Sequence, residues 1–120
     1  MKKLFGILAL SGAINVYAQT AIKIAELSNH VGDSIKLTTK IYGGKFLSQS
    51  PGTPSLLNAG AKYPDAPLTI VIFGENRAAF KNKPEEFYLD KNICVTGRIA
   101  IYRGKPEIII SDEKQILVRE

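Results

Sequence analysis

Hydrophobic and polar residues alternate most clearly between residues 91 and 111. The alternating apolar residues of this stretch are Ile93, Val95, Ile99 and Ile101. The residues on the other side of the alternation are Cys94, Thr96, Arg98, Ala100 and Tyr102. This is the pattern of a strand with one buried face. The sequence Arg103-Gly104-Lys105-Pro106 then interrupts it before a second apolar run begins. The pattern therefore predicts a β-hairpin with a short basic turn.

Gly97 lies in the middle of the first strand of this hairpin. A glycine inside a strand usually marks a bulge or a bend. Small closed barrels need such bends to coil a long strand around a core. We therefore predict that this strand bends at Gly97.

Three earlier segments also have the pattern of strands. Residues 34–42 alternate between apolar positions and an outer face that carries Lys36, Lys40 and Tyr42. Residues 55–58 predict a short second strand, and residues 68–73 are a hydrophobic run that is too short for a stable helix. Together with the hairpin these segments give five predicted strands.

The segments between the strands are rich in glycine, proline and polar residues. Residues 43–54 predict a long loop, and residues 61–67 predict a second irregular stretch. Asn76 is in position to cap a helix that begins at Arg77. Residues 20–29 predict one or two helical turns. For residues 112–120 the sequence allows either a short closing strand or an irregular tail.

This order of elements predicts an all-β domain with one or two short helices over residues 19–120. A helix between the third and fourth strands, short turns and a long first loop are typical of a five-stranded Greek-key OB-fold barrel. The alternative is another small barrel, such as an SH3-like one. The insertion over residues 74–90 favours the OB-fold, because the capping helix of that fold occupies this place.

The first 18 residues have the features of a secretory signal peptide. Lys2 and Lys3 form a basic start, residues 4–14 are apolar, and Val16-Tyr17-Ala18 resembles a cleavage site. We therefore expect cleavage after Ala18, a periplasmic or secreted product, and no membrane span in the mature chain. An uncleaved membrane anchor is the alternative.

The charge of the chain favours an anionic partner only weakly. The sequence has 16 Lys and Arg residues against 11 Asp and Glu residues, and removing Lys2 and Lys3 leaves 14 against 11, an excess of 3. Local clustering rather than net charge governs electrostatic attraction. Cys94 is the sole cysteine, which excludes an internal disulfide and predicts a partly buried apolar residue.

The ordered motifs also resemble a known family. They are His30-Val31-Gly32-Asp33, Leu56-Leu57-Asn58-Ala59-Gly60 with Tyr63-Pro64, Leu68-Thr69-Ile70-Val71-Ile72-Phe73-Gly74, Val95-Thr96-Gly97-Arg98-Ile99, and Tyr102-Arg103-Gly104-Lys105-Pro106-Glu107-Ile108. In this order they resemble bacterial OB-fold nucleic-acid-binding domains, including small exported ones. The resemblance implies an OB-fold and a nucleic-acid-binding role, although OB barrels also bind sugars, peptides and proteins.

Basic and aromatic residues of the predicted strands and loops form a candidate binding set for single-stranded nucleic acid. The set is Lys36, Lys40, Tyr42, Lys45, Phe46, Arg98, Tyr102, Arg103 and Lys105. Cationic side chains attract phosphates, and tyrosine rings offer surfaces on which unpaired bases stack. We expect the first and fourth strands to be neighbours that bring the set together, with Lys45 and Phe46 in the long loop as the opposite wall. The competing interpretation is that these residues only keep exposed strands soluble.

Catalytic and cofactor-binding patterns are weak in this sequence. His30 is the only histidine, and the adjacent acids Glu85-Glu86 and Asp112-Glu113 have the spacing of solvated residues. A phosphate-binding loop signature does not occur. We therefore expect a binding protein without a cofactor rather than an enzyme. The alternative to nucleic acid is an envelope protein, glycan or small ligand, which the predicted export favours.

Overall fold

A computed structural model describes residues 19–120, so the predicted signal peptide lies outside the described residues. The strands are β1 (Thr20–Ile22), β2 (Ser34–Phe46), β3 (Ser55–Ala59), β4 (Leu68–Ile72), β5 (Asn92–Tyr102), β6 (Lys105–Ile109) and β7 (Ile116–Arg119). The α-helices are α1 (Gly74–Arg77) and α2 (Pro84–Phe87), and the 3-10 helices are Ile24–His30 and Glu113–Gln115. Within this range no helix has both the length and the apolar character needed to cross a membrane.

The all-β class with short helices is confirmed, but the number of strands differs from the prediction. The described residues form seven strands in one mixed sheet rather than five. The helical interpretation of residues 20–29 is right only in part, because β1 takes the first residues and a 3-10 helix the rest. The short closing strand forms as β7. Both added strands have four residues or fewer, so they are too short for an alternation pattern to identify them.

Two long strands, β2 and β5, are each shared by two halves of the sheet. Residues 34–40 pair antiparallel with residues 92–98, while β1 runs parallel to β2 and β7 runs antiparallel to β5. We call these paired segments the β1–β7 half. The rest of β2 pairs with β3, and the rest of β5 pairs with β6. β4 lies between β3 and β6, antiparallel to the first and parallel to the second, and we call this group the β3–β4 half.

Both long strands change partner at a local irregularity. In β2 the register shifts between Ile41 and Gly43, which leaves Tyr42 as the extra residue of a bulge. In β5 the partner changes from β2 to β6 between Arg98 and Ile99, next to Gly97. A Cβ atom at Gly97 would lie 2.6 Å from Cγ2 of Ile108. The glycine is therefore required by close packing beneath the strand.

The core lies between the inward faces of the two halves. Its buried strand residues are Ile22, Ile35, Leu37, Ile41, Leu57, Ala59, Leu68, Ile70, Ile72, Ile93, Val95, Ile99, Ile108 and Ile116. The core residues that join them from outside the strands are Leu27, Phe80, Tyr88 and Ile110. The predicted alternation of β5 is confirmed except at Ile101, which is 49% exposed, and at Cys94, which lies on the outer side of the alternation but is buried. Each fully buried leucine or isoleucine contributes roughly 1.5–3 kcal/mol relative to exposure.

Two boundaries predicted from the sequence are wrong. The first helix begins at Gly74 and ends at Arg77, with Phe73 rather than Asn76 at the N-cap position. β2 continues through Gly43 and Gly44 to Phe46, so the first loop covers only residues 47–54. A Cβ atom at Gly44 would lie 2.8 Å from the carbonyl oxygen of Glu85, so this glycine lets α2 pack directly on the strand.

Candidate nucleic-acid interface

The outward face of the β3–β4 half carries two rows of side chains that cross its strands. The first row contains the polar residues and the second is mostly apolar. One row runs from Gly43 through Asn58, Thr69 and Glu107 to Ala100. Residues directly opposite in neighbouring strands point to the same side of a sheet, so the polar members of this row face solvent together. The next row is apolar and contains Leu56, Val71 and Ile109, with Lys45 at its end.

The β5–β6 hairpin turn lies at one end of this face. Arg103 and Gly104 have positive backbone φ values of 51° and 81°. Two consecutive residues with positive φ between paired strands define the tight two-residue turn that favours Asn-Gly. Tyr102 and Lys105 flank the turn as a directly opposite pair. The turn therefore holds Tyr102, Arg103 and Lys105 close together at the end of the hairpin.

The β3–β4 loop meets this hairpin and adds a second tyrosine. The ammonium nitrogen Nζ of Lys105 donates a hydrogen bond to the carbonyl oxygen of Pro64, at 3.4 Å. Tyr63, the residue before Pro64, is 80% exposed, and Tyr102 is 57% exposed. We call the combined group of Lys62, Tyr63, Tyr102, Arg103 and Lys105 the tip cluster. It presents two exposed aromatic rings beside three cationic side chains.

The cations of the tip cluster are not neutralised by carboxylates. The ion pairs found over residues 19–120 are His30–Asp33 and Arg77–Glu85, and neither involves the tip cluster. The guanidinium carbon of Arg103 lies 5.2 Å from the centroid of the Tyr102 ring. Because these charges have no carboxylate partner and lie at exposed positions, they remain able to attract a phosphate.

The structure separates the residues that the sequence analysis expected to lie together. β2 and β5 are neighbours as predicted, but their register pairs Lys40 with Asn92, ten residues before Tyr102. On a straight strand that separation is about 30 Å. Lys36 and Lys40 face outward on the β1–β7 half, and Lys40 lies 5.2 Å from the Tyr42 ring. They do not join the tip cluster.

Arg98 lies between the two groups. Its partner in β2 is Ser34, so it is a diagonal neighbour of Lys36. Its Nε atom donates a hydrogen bond of 3.0 Å to the carbonyl oxygen of Gly32. That contact ties Arg98 to the turn before β2 and gives it a structural partner.

Lys45 and Phe46 lie at the far end of the β3–β4 half, in strand β2 rather than in a loop. The guanidinium carbon of Arg77 lies 3.8 Å from the centroid of the Phe46 ring. Arg77 also donates to Glu85 at 2.7 Å and to the hydroxyl of Ser55 at 3.0 Å. We call Phe46, Ser55, Arg77 and Glu85 the cap cluster. One face of the Phe46 ring is therefore already covered.

The cap cluster neutralises its own charges. Burial alone would raise the pKa of the Glu85 carboxyl. Hydrogen bonds from Arg77, from the backbone of Glu85 and from Ser55, together with the charge of Arg77, outweigh burial and lower this pKa. The side chains of Arg77 and Glu85 are only 21% and 11% exposed. This group therefore joins the two α-helices to the β2–β3 hairpin and leaves little charge for a ligand.

Sequence reasoning missed Lys62 and Tyr63. They precede Pro64, whose carbonyl oxygen accepts the hydrogen bond from Lys105. The parallel pairing of β4 with β6 places the start of β6 beside the β3–β4 loop. The only signal in the sequence is a tyrosine next to a lysine in a proline-containing loop. Such a signal is weak without the tertiary contact.

The structure buries two of the remaining reactive side chains, Cys94 and Tyr88. Cys94 is a free thiol and is 5% exposed, so it is buried more completely than predicted. Burial and the nearby Glu113 carboxylate raise the pKa of Tyr88 to about 12. Residues 19–120 contain no group of three or more His, Cys, Asp or Glu side chains placed to hold a metal ion.

Comparison with known proteins gives a likeness of fold only. No protein-family model and no curated protein matches the sequence. The structure is similar to a crystal structure of a protein assigned as an aspartyl-tRNA synthetase from Leishmania major Friedlin, with a TM-score of 0.56 and 12% sequence identity. The similarity covers 85% of this chain and 21% of that chain. It therefore concerns the architecture of one domain-sized part of the larger protein.

Proposed function

We propose that the domain is an OB-fold in which β1 and β7 are additions at the edges. The support is the order of pairing, which runs β2–β3–β4–β6–β5 and returns from β5 to β2. A cycle of five paired strands is what a small barrel requires, and β6 between β4 and β5 gives a Greek-key order. The predicted five strands of the barrel then correspond to β2, β3, β4, β5 and β6.

We propose that the function is sequence-tolerant binding of single-stranded nucleic acid, without catalysis. The observation that carries the proposal is the tip cluster, where exposed tyrosine rings adjoin cations that have no carboxylate partner in the described part of the chain. In OB-folds the outward face of the second and third strands binds oligonucleotides, together with the loop between the first and second strands and the loop between the fourth and fifth. Tyr102, Arg103 and Lys105 of the tip cluster lie at the second of these loops, and the face beside it belongs to β3 and β4. The bases stack on the rings while the cations contact phosphates.

The proposal is tested by fluorescence anisotropy with a labelled single-stranded oligonucleotide of about 15 nucleotides, at several salt concentrations. We expect binding at low salt that weakens as salt rises. The double variant Arg103→Asn with Lys105→Gln removes two charges, and asparagine suits the positive φ of the turn. We expect this variant to bind at least about tenfold more weakly at low salt.

The matched control removes two lysines from the other half of the sheet. The double variant Lys36→Gln with Lys40→Gln has the same change in charge, and we expect it to retain most of the affinity. No binding by the natural sequence at low salt would exclude the proposed function. Equal losses in the two double variants would show that only the net charge matters.

We further propose that the domain acts outside the cytoplasm, after cleavage behind Ala18. The support is the sequence of residues 1–18, with its basic start, apolar run and small-residue cleavage site. Fractionation of the producing cell tests this. The proposal requires that the chain isolated from the periplasm or medium begin at Gln19, whereas a cytoplasmic chain that retains Met1 would contradict it.

One observation favours a second candidate function, the binding of an envelope protein. Strand β7 pairs with β5 on one side, and across residues 19–120 no strand pairs with its other side. Leu117 and Val118 on this edge are exposed, next to a shallow depression lined by Phe87 and Tyr88. An extended segment of a partner can add to such an edge. Capture of a defined partner that is lost in Leu117→Lys but kept in Tyr102→Ala would support this candidate.

A further inference from the structure

Glu107 is a carboxylate without a partner in the middle of the proposed ligand face. It lies on β6 between Thr69 of β4 and Ala100 of β5. Ile108 on the same strand is buried, so the alternation directs Glu107 outward. No ion pair or side-chain hydrogen bond of Glu107 occurs among the residues that the structure describes. Lys105, two residues away, donates instead to the carbonyl oxygen of Pro64.

The surroundings of Glu107 leave room for a ligand to reach it. Its neighbour across β5 is Ala100, which has a small side chain, and Asn58 and Thr69 continue the row on the other side. Burial raises the pKa of the Glu107 carboxyl, because nearby protein groups do not compensate the loss of water. A ligand that donates hydrogen bonds to this carboxylate would supply the missing partners.

The hairpin register places Glu107 beside the proposed stacking surface. Tyr102 is opposite Lys105, and Ala100 is opposite Glu107, so Tyr102 and Glu107 are diagonal neighbours on one face. Diagonal neighbours in an antiparallel pair lie within reach of an aromatic side chain. The Glu107 carboxylate is therefore within reach of the edge of a base that stacks on Tyr102. Lys105, opposite Tyr102, is the nearest cation in the register for an adjoining phosphate.

We propose that Glu107 makes this site prefer bases with an exocyclic amino group, with cytosine favoured over thymine or uracil. The inference rests on the proposed function. A carboxylate accepts a hydrogen bond from the N4 amino group of cytosine. Thymine and uracil present a carbonyl oxygen at the same position, which repels a carboxylate. The sequence-tolerant face thus contains one position that distinguishes the two pyrimidines.

The test compares labelled oligo(dC) and oligo(dT) of equal length, at neutral pH and low salt, by fluorescence anisotropy. We expect the natural sequence to bind oligo(dC) about tenfold more tightly, as one hydrogen bond to a charged group supplies. The variant Glu107→Gln keeps the shape but has an amide that both donates and accepts, so its two affinities should become equal. Thermal unfolding of the variant confirms that it is folded.

Asp65→Asn is the matched control, because it removes a negative charge from the β3–β4 loop next to Pro64. We expect it to strengthen binding of both oligonucleotides and to leave their ratio unchanged. Equal binding of oligo(dC) and oligo(dT) by the natural sequence would overturn the preference and leave the proposed function intact. A preference that persists in Glu107→Gln would overturn the role of Glu107. Failure of both oligonucleotides to bind would exclude the proposed function, and the inference with it.

Discussion

The tip cluster and the cap cluster contain the same kinds of side chain but differ in their partners. In the cap cluster Arg77 covers the ring of Phe46 and pairs with Glu85 at 2.7 Å. In the tip cluster Arg103 and Lys105 have no carboxylate partner within residues 19–120, and Tyr102 is 57% exposed. A cation and an aromatic ring therefore indicate a binding site only where the cation lacks a carboxylate partner and the ring is exposed to solvent. The two clusters lie at opposite ends of the β3–β4 half, so variants can separate their roles.

The largest effect is expected for Arg77→Ala in the cap cluster. The change leaves the mostly buried Glu85 carboxylate without its cation and removes the donor to Ser55. Loss of a hydrogen-bonded, partly buried charge should lower the free energy of unfolding by about 2–3 kcal/mol. Urea denaturation measures this change. Affinity of the folded variant for single-stranded nucleic acid should be unchanged, and a loss below about 0.5 kcal/mol would contradict the structural role.

Tyr102→Ala should lower affinity and leave stability nearly unchanged, which is the opposite of the result expected for Arg77→Ala. Removal of a stacking surface should weaken oligonucleotide binding by about 1–3 kcal/mol, measured by anisotropy. Stability should change by less than about 0.5 kcal/mol, because the ring is largely exposed. Phe46→Ala is the matched control and should reduce stability without reducing affinity. If Phe46→Ala weakens binding as much as Tyr102→Ala, the distinction between the clusters is wrong.

A smaller effect is expected in the salt dependence of Lys105→Gln. Each phosphate contact to a single strand contributes about 0.7 to the slope of log affinity against log salt. The variant should therefore reduce the magnitude of the slope by about 0.7, whereas Lys40→Gln on the β1–β7 half should leave it unchanged. An equal change in both variants would show that binding depends on overall charge alone.

The smallest effects should appear in the pH dependence of stability, with opposite signs at two carboxyls. The pKa of Glu85 is lowered, so its stabilising contribution is present above the ordinary carboxyl pKa and is lost as pH falls through the lowered value. The pKa of Glu107 is raised, so its burial cost is absent in acid and develops as pH rises through the raised value.

At neutral pH Glu85→Gln should therefore be less stable than the natural sequence, and Glu107→Gln slightly more stable. Both differences should shrink as the solution becomes acidic. Urea denaturation at a series of pH values measures the two differences. Changes of the same sign would show that Glu107, like Glu85, has a partner in the folded protein.

Long-range packing limited what the sequence could predict of the fold. Alternation identified β2 and β5 because one face of each meets the core, and the hydrophobic run identified β4. Gly43 and Gly44 suggested a loop, yet Gly44 lies in a strand because the backbone of Glu85 packs against it. No local pattern reports a contact between residues that are about forty positions apart in the sequence.

Long-range contacts also limited what the sequence could predict of the candidate site. Tyr102, Arg103 and Lys105 were identified because a turn keeps residues close in sequence close in space. Tyr63 was missed because its loop meets the hairpin only through the pairing of β4 with β6 and the hydrogen bond from Lys105 to Pro64. Phe46 was included in the candidate binding set. The sequence does not show that the guanidinium group of Arg77 covers one face of its ring. The sequence thus predicts the surroundings of a residue well when its partners are close in the sequence, and poorly when they come from distant segments.

The most direct measurement is a titration of the isotopically labelled protein with single-stranded oligonucleotide, followed by amide chemical shifts in NMR spectra. We expect the largest shifts at Tyr63 and along Tyr102–Glu107, and little change at Ser55, Arg77 and Glu85. Absence of shifts at low salt, or shifts that centre on the cap cluster or on β7, would show that the tip cluster is not the binding site.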